Sequence, residues 1–154
     1  MLTLVSAAVT APDPALPVEA IVVERHDLAR RRWRVAAPDG QEFGFELARP
    51  LQPGDTIAQS GGKRYVLRQR PEPVLFVSLE LAASAAAGLG WAFGNMHLEA
   101  STEPGRLIVA DTPAARQLLA RLGLAFTTEP YVFRPGRFAR GTLPAHELGP
   151  SHQH

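Results

Sequence analysis

Residues 79–101 have the sequence LELAASAAAGLGWAFGNMHLEAS, and this stretch decides the fold of the second half of the chain. Its alanine-rich part predicts a helix over residues 79–93, with Ser78 as the N-cap. Gly94 follows and can take the left-handed conformation that ends a helix. A strand is predicted over residues 97–101, so the backbone would fix the direction of the His97 side chain. That is a favourable place for a metal ligand, and also an ordinary place for a capping or core histidine.

Further elements are predicted on both sides of this helix. Residues 74–77 are an apolar run that predicts a preceding strand, and residues 106–110 predict a following one. Thr112 and Pro113 predict the start of a second helix, since proline is favoured at the first helical position. Its apolar face is predicted from helical spacing to contain Ala115, Leu118, Leu119 and Leu122. With a last strand over residues 124–127, the order β-α-β-β-α-β predicts a ferredoxin-like domain.

The first half of the chain contains short β-type runs separated by turn sequences such as Pro38-Asp39-Gly40. The predicted fold class is therefore α+β. It comprises an all-β N-terminal domain over residues 1–71, a ferredoxin-like domain over residues 72–138 and a flexible tail over residues 139–154. The tail lacks periodicity and contains three of the five histidines, which are His146, His152 and His154.

Composition excludes several classes of protein. The chain has 154 residues, 45% of them apolar, and no apolar run long enough for a transmembrane helix. Its net charge of +1 does not favour nucleic-acid binding. Cysteine is absent, so disulfides and thiolate ligands are excluded and any metal site must use nitrogen and oxygen donors. The first eleven residues lack the basic start of a signal peptide, and we expect a cytoplasmic protein.

The clustered basic residues are Arg30, Arg31, Arg32 and Arg34. We interpret them as the solvated edge of a hairpin, in preference to a docking patch for an acidic partner.

Several segments together resemble the urease accessory nickel chaperones, the UreE family. In the first half these are Asp39-Gly40 with Phe43, then Gly54-Asp55, and Pro71-Glu72-Pro73 leading into Val74-Leu75-Phe76-Val77. In the second half, Gly94-Asn95-Met96-His97 is similar to the family's Gly-Asn-Arg-His segment, and the chain ends in His152-Gln153-His154. The resemblance extends from about residue 21 to residue 133, with the terminal histidines beyond it.

The resemblance implies a homodimeric nickel metallochaperone that is not an enzyme. Such proteins deliver Ni(II) for assembly of the urease active site, together with a urease accessory GTPase. His97 matches the family's metal ligand at the dimer interface, and His152 and His154 match the C-terminal histidines that complete the site. Zn(II) or Cu(II) could bind the same ligands. The chain departs from the family at Met96, where an arginine is usual.

The number of histidine ligands that one protomer offers is a chemical reason to expect the same dimer. One protomer offers His97 and a flexible histidine pair, whereas a twofold axis can bring two copies of His97 to one ion. We expect the interface along the predicted helix, through the small-residue face Ala82, Ala85, Ala86 and Leu89.

Two other functions are consistent with the sequence. A metal-dependent hydrolase would need a general base, and Glu99 is the obvious candidate because it would share a strand face with His97. A metal-free adaptor would instead use the β domain to bind a protein of an assembly complex.

Overall fold

The computed structural model of the protein describes residues 1–140 and 143–147, with side chains up to Phe138. The chain divides into two units, Met1–Arg70 and a second that begins at Pro71. Both contain sheets, and the helices among the described residues are few, so the fold is mixed α+β as predicted. None of the described helices has the length and hydropathy needed to cross a membrane.

The first unit consists of two three-stranded sheets and the single-turn helix α1 (Arg25–Leu28). Its strands are β1 (Leu2–Val5), β2 (Val18–Val23), β3 (Arg32–Ala36), β4 (Glu42–Glu46), β5 (Thr56–Ser60) and β6 (Lys63–Gln69). The strand orders are β1-β4-β3 and β2-β6-β5. In each sheet the middle strand pairs parallel with one neighbour and antiparallel with the other.

One apolar cluster fills the interior of the first unit. Phe43 and Phe45 of β4 and Tyr65 of β6 are buried in it. Trp33 of β3 packs against its margin, and its ring stacks on Phe45 with 4.0 Å between ring centroids. β3 and β4 are joined at the predicted turn by Gly40, whose φ of 85° favours glycine.

The second unit contains the order β-α-β-β-α-β followed by a hairpin. Its elements are β7 (Glu72–Ser78), α2 (Ala83–Asn95), β8 (Ala100–Glu103), β9 (Arg106–Ala110), α3 (Pro113–Arg121), β10 (Thr127–Tyr131), β11 (Arg137–Arg140) and β12 (Leu143–Glu147). The four-stranded sheet has the order β10-β7-β9-β8 and is antiparallel throughout. Leu75 and Val77 of β7 belong to the cluster that includes residues of both helices, and Val74 and Phe76 belong to a second cluster.

Helix α3 begins where the sequence predicts. The Thr112 hydroxyl accepts a hydrogen bond from the Ala115 amide at 3.2 Å, and Pro113 occupies the first turn. Leu118 and Leu119 are buried as predicted, but Leu122 is 46% exposed. Leu122 lies at the C-cap, beyond the last helical residue, and so falls outside the packed face.

Helix α2 begins later than predicted, at Ala83, and the prediction of Ser78 as its N-cap is wrong. Ser78 ends β7, and its hydroxyl accepts a hydrogen bond from the Glu80 amide at 3.1 Å. The Leu79 amide donates to the carbonyl of Gly105 at 2.8 Å, in the turn between β8 and β9. The segment after β7 is therefore bonded to this turn, and α2 starts beyond it at Ala83.

The prediction of a flexible tail over residues 139–154 is wrong for Leu143–Glu147, which form β12. This strand pairs antiparallel with β11, with Arg137 opposite Glu147 and Phe138 opposite His146. His152 and His154 lie outside the described residues.

A charged network connects the turn between β3 and β4 to β6 and β2. The Lys63 ammonium lies 2.5 Å from Asp39 Oδ2 and 3.0 Å from Glu19 Oε2. The Tyr65 hydroxyl donates to Asp39 Oδ2 at 2.8 Å. Lys63 above all, with the Gln41 amide and Tyr65, lowers the pKa of Asp39 from 3.8 to about 2. Hydrogen bonding to Asp39 and then to Glu19 raises the pKa of Lys63.

We predict that Lys63→Met raises the pKa of Asp39 toward 3.8, because the largest stabilising contact of the carboxylate is removed. In the wild type, the depressed pKa contributes stability that is complete above 3.8 and is lost as the pH falls through about 2. The variant should therefore lack most of this contribution, and what remains should be lost at a pH closer to 3.8. Carboxyl NMR titration and urea unfolding between about pH 2 and 6 measure both effects. Arg68→Met, at an exposed cation of the same strand, is the control, and an unchanged Asp39 titration in Lys63→Met would contradict the prediction.

Candidate metal centre

His97 lies in the turn directly after α2, and its backbone is held by the hydrogen bonds that end that helix. The Leu98 amide donates to the Phe93 carbonyl at 3.1 Å, and the His97 amide donates to the Gly94 carbonyl at 3.0 Å. These two bonds form a Schellman motif, which commonly includes an apolar contact between the residues at the positions of Leu98 and Phe93. Both belong to the same apolar cluster. The motif therefore fixes the backbone on both sides of His97.

His97 takes the left-handed position of the motif with a φ of 52°, and no other described residue except glycine has a positive φ. Helix α3 ends with the equivalent pair of bonds, Gly123 to Ala120 and Leu124 to Leu119. There the left-handed residue is Gly123, with a φ of 65°. This conformation costs a residue with a Cβ about 1–2 kcal/mol. Such strain is found at binding sites, where the surrounding structure maintains it.

The structure corrects two predictions about the surroundings of His97. Gly94 does not end α2, because the helix continues to Asn95 and the left-handed residue is His97 itself. The strand predicted from residue 97 begins only at Ala100. Glu99 therefore does not share a strand face with His97, and it forms an interaction of its own. The geometry proposed for a general base beside His97 is absent from this part of the structure.

The end of α2 is an electrostatically favourable place for a cation. The last carbonyls of a helix carry partial negative charge, which basic side chains or bound cations stabilise. α3 has Arg121 in its last turn, whereas α2 has no basic residue there. His97 is exposed beside this end, and Met96, 38% exposed, precedes it. A cation held by the His97 imidazole would lie near a helix end that has no basic side chain.

Within one protomer, His97 is not joined by other predicted ligands that the structure describes. No three His, Asp or Glu side chains among the described residues are grouped closely enough to hold a metal ion. His146 lies in β12, and His26 lies in α1 of the first unit. His152 and His154 fall outside the described residues, so their position relative to His97 stays a prediction.

Helix α2 presents an exposed, uncharged surface next to His97. Only Leu89 and Phe93 are buried, and none of its thirteen residues is charged. The side away from this buried pair, called here the α2 exposed face, contains Ala83, Ser84, Ala87, Gly90, Trp91 and Gly94. Trp91 is 72% exposed. An exposed tryptophan among small uncharged residues is typical of a surface that another molecule covers.

Residues 72–154, just over half of the chain, match the family described as UreE urease accessory protein, C-terminal domain. The chain belongs to the UreE family. It is 33% identical over 132 residues to the urease accessory protein UreE of Deinococcus radiodurans, covering 83% of this chain and 81% of that protein. It is 34% identical over 123 residues to UreE of Paracoccus denitrificans, covering 79% of this chain and 76% of that protein.

Family membership confirms the resemblance found in the sequence. It also confirms the prediction that the protein is not an enzyme, because UreE proteins are accessory chaperones. The cytoplasmic location stays a prediction.

Trp91 and the glycines of α2 are features that sequence reasoning missed. The predicted small-residue face was Ala82, Ala85, Ala86 and Leu89. Leu89 is buried in the core of its own protomer, and Ala82 precedes the first helical residue. The sequence signal that was missed is the i, i+4 spacing of Leu89 and Phe93. This spacing puts both residues on one face of the helix and Trp91 on the opposite face.

We predict opposite stability changes at the two equivalent helix ends. His97→Gly should raise the free energy of unfolding by up to about 1 kcal/mol, because glycine has no Cβ to oppose a positive φ. Gly123→His should lower it by about 1 kcal/mol for the same reason. Urea denaturation of the metal-free protein measures both. If both substitutions change stability in the same direction, the backbone of His97 is not strained as described.

Proposed function

We propose that this protein carries Ni(II) as cargo for urease maturation, with the ion held between two copies of the chain by His97 from each protomer. His152 and His154 complete the ligand set, and the ion is then passed to a urease accessory GTPase and the urease activation complex. Membership in the UreE family supplies the role in urease maturation. The observation that carries the finer proposal is the strained, exposed His97 beside the α2 exposed face.

The number of donors supports a shared site. Among the described residues of one protomer, His97 belongs to no group of three metal-ligating side chains. A twofold axis beside His97 would bring the His97 imidazole of the second protomer to the same ion. This follows because an isologous interface repeats each residue on both sides of the axis. Histidines of the C-terminal segment can then fill the remaining positions.

The glycines of α2 support the same interface. A glycine inside a helix costs about 0.5–1 kcal/mol relative to alanine. Nothing among the described residues of the protomer requires Gly90 or Gly94 of the α2 exposed face, because a Cβ at either would meet no atom within 4 Å. A close backbone approach by a second copy of α2 explains their presence. The lack of charge on the helix removes the desolvation cost of burying such a surface.

The ligand chemistry fits a carrier of borderline divalent ions. Neutral imidazole binds Ni(II), Cu(II) and Zn(II), and affinity for such sites rises toward copper. We therefore expect Zn(II) and Cu(II) to bind the same ligands in vitro. Ligands from a separate C-terminal segment suit a carrier, because ordering them costs conformational entropy and so favours release of the ion.

We predict that the protein is a homodimer and that Trp91→Glu raises its dissociation constant by at least about tenfold. Each interface would contain the substitution twice, and buried tryptophan anchors are worth about 2 kcal/mol or more. Sedimentation equilibrium of the full chain measures the effect.

Leu122→Glu is the matched control, because Leu122 is also an exposed apolar residue of the second unit but lies at the end of α3. A wild-type protein that stays monomeric at micromolar concentration with Ni(II) would disprove the shared site. Equal effects of both substitutions would place the interface elsewhere.

We also predict that His97→Ala abolishes the tightest Ni(II) site, whereas deletion of residues 149–154 weakens binding and leaves one ion per dimer. The point substitution removes two ligands of the ion by symmetry. Removing even a residue that only hydrogen-bonds to a metal ligand lowers metal affinity about 10–100-fold. As part of the tail predicted to be flexible, the deleted histidines would have to be ordered on binding, at about 1–2 kcal/mol for each residue fixed.

Isothermal titration calorimetry with Ni(II) compares the two variants, with His26→Ala as a control in the first unit. The proposal fails if His97→Ala binds Ni(II) like the wild type while the deletion variant binds none. The histidines of the terminal segment would then bind metal by themselves.

A further inference from the structure

The four-stranded sheet of the second unit has one face toward the helices and one face away from them. The helices pack in the cluster that contains Leu75 and Val77 of β7. Side chains alternate along a strand, so Val74 and Phe76 lie on the other face, called here the rear face. Phe133, which follows β10, is completely buried in the same cluster as these two residues. The chain after β10 therefore packs on the rear face.

This part of the chain crosses the rear face from one edge strand of the sheet to the other. Tyr131 ends β10 at one edge. The Gly136 amide donates to the carbonyl of Ala100 in β8, at the opposite edge, at 2.8 Å. Residues 132–135, called here the crossing segment, lie between these two points, with Phe133 buried beneath them.

A groove of about 270 Å³ lies between β8 and the crossing segment. Ile108 of β9, which is 1% exposed, lines it from the rear face. One wall is formed by β8 and the turn after it. The other wall is formed by Tyr131, Val132, Arg134 and Arg137. All of these residues belong to the second unit, so the groove lies within a single unit.

The β8 wall of the groove contains a polar side chain that is buried without a partner. Ser101 is 4% exposed and lies opposite Ile108 in the pairing of β8 with β9. Its hydroxyl forms no hydrogen bond with any described residue, and the side chain lines the groove. Leaving a buried hydroxyl without a partner is costly, and an oxygen-rich ligand in the groove would supply one.

The acidic residue of the groove is already neutralised. Glu103 Oε2 accepts hydrogen bonds from Arg106 Nε at 3.0 Å and from Arg106 Nη2 at 2.7 Å. Glu103 Oε1 accepts a hydrogen bond from the Tyr131 hydroxyl. The Arg106 guanidinium also lies over the Phe76 ring, 4.1 Å from its centroid. The carboxylate therefore lines the groove with its charge compensated and both of its oxygens occupied.

Two arginines make the lining of the groove basic. Arg134 is half-buried and Arg137 is exposed. Each has an interaction of its own within the protein. A guanidinium has five N–H donors in a fixed fork, so such an interaction orients the group and leaves donors for a ligand. Together with the Ser101 hydroxyl, three donor side chains therefore line one small groove.

We propose that this groove binds the phosphate group of a small organic phosphate, at a site separate from the metal centre at His97. Arg134 and Arg137 form charge-assisted hydrogen bonds to two phosphate oxygens, and the Ser101 hydroxyl donates to the third. A phosphate monoester offers three terminal oxygens to these three donor side chains, whereas a carboxylate offers two. The organic part packs against Val132, an apolar side chain of the same wall that is 42% exposed.

The test is a proton–nitrogen NMR titration of the full, metal-free chain with phenyl phosphate, inorganic phosphate and benzoate. Phenyl phosphate should bind at least about fivefold more tightly than either of the others, because it alone combines a phosphate with an apolar group. The backbone amide signals of Ser101 and Arg134 should shift on binding. The affinity should fall as salt is raised, since the contacts are between charges.

Two substitutions test the named contacts. Arg134→Gln should weaken phenyl phosphate binding at least about tenfold, since it removes a charge-assisted contact. Ser101→Ala should weaken it at least about threefold and leave the urea unfolding curve unchanged, because the hydroxyl has no described partner to lose. Arg121→Gln is the control, at an exposed arginine in the last turn of α3, and should bind phenyl phosphate like the wild type.

The proposal is overturned if benzoate or inorganic phosphate binds the wild type as tightly as phenyl phosphate, or if Arg121→Gln acts like Arg134→Gln. It is also overturned if Ser101→Ala folds and binds phenyl phosphate like the wild type, because the hydroxyl would then have no part in the site. If urea unfolding shows that Arg134→Gln fails to fold, Ser101→Ala and the comparison of the three ligands on the wild type decide the question.

Nickel titration in phosphate-free buffer separates this proposal from the metal function. Ser101→Ala should bind Ni(II) like the wild type, since Ser101 is not a ligand of the proposed metal site. A wild-type chain that binds phenyl phosphate but not Ni(II) would retain the groove and disprove the metal site. A parallel loss of Ni(II) and phenyl phosphate binding in Ser101→Ala would overturn the groove as a separate site.

Discussion

The second unit depends on the burial of β7 on both of its faces. Leu75 and Val77 pack in the cluster that contains residues of α2 and α3, while Val74 and Phe76 pack with Ile108. β10 and β9 pair with its two edges, so its backbone groups are satisfied by neighbours on both sides. The position of α2, and hence of His97, follows from the packing of Leu89 and Phe93 on this strand's cluster.

Much of this arrangement could be predicted from local sequence. The continuous apolar run of β7 indicates a strand buried on both faces, and Thr112 with Pro113 marks the start of α3. Pro38-Asp39-Gly40 marks a turn that the structure contains. In each case the residues that decide the conformation are adjacent in the chain. The family resemblance also rested on short segments, and the comparison with known UreE proteins confirms it.

The predictions from sequence were wrong where residues distant in the chain determine the local conformation. The Leu79 amide bonds to the carbonyl of Gly105 in a distant turn and α2 begins only at Ala83, and no pattern near residue 79 reveals either feature. The αL position fell on His97 and not on Gly94, because the bond from Leu98 to Phe93 sets the register of the turn. β12 depends on pairing with β11 and contains Pro144, so its sequence alone does not indicate a strand. The proposed interface and terminal ligands involve a second copy of the chain and residues outside the described part of it.

The composition of α2 has a consequence for the dynamics of the protein. A helix that contains three glycines and buries only Leu89 and Phe93 has few contacts to lose when it opens. Its free energy of local opening is therefore low compared with that of the sheet beneath it, and its amide protons exchange with solvent through this local opening. In the proposed dimer the α2 exposed face would be covered, and that exchange should be slower. The amides of this one helix would then report whether a protomer is alone or paired.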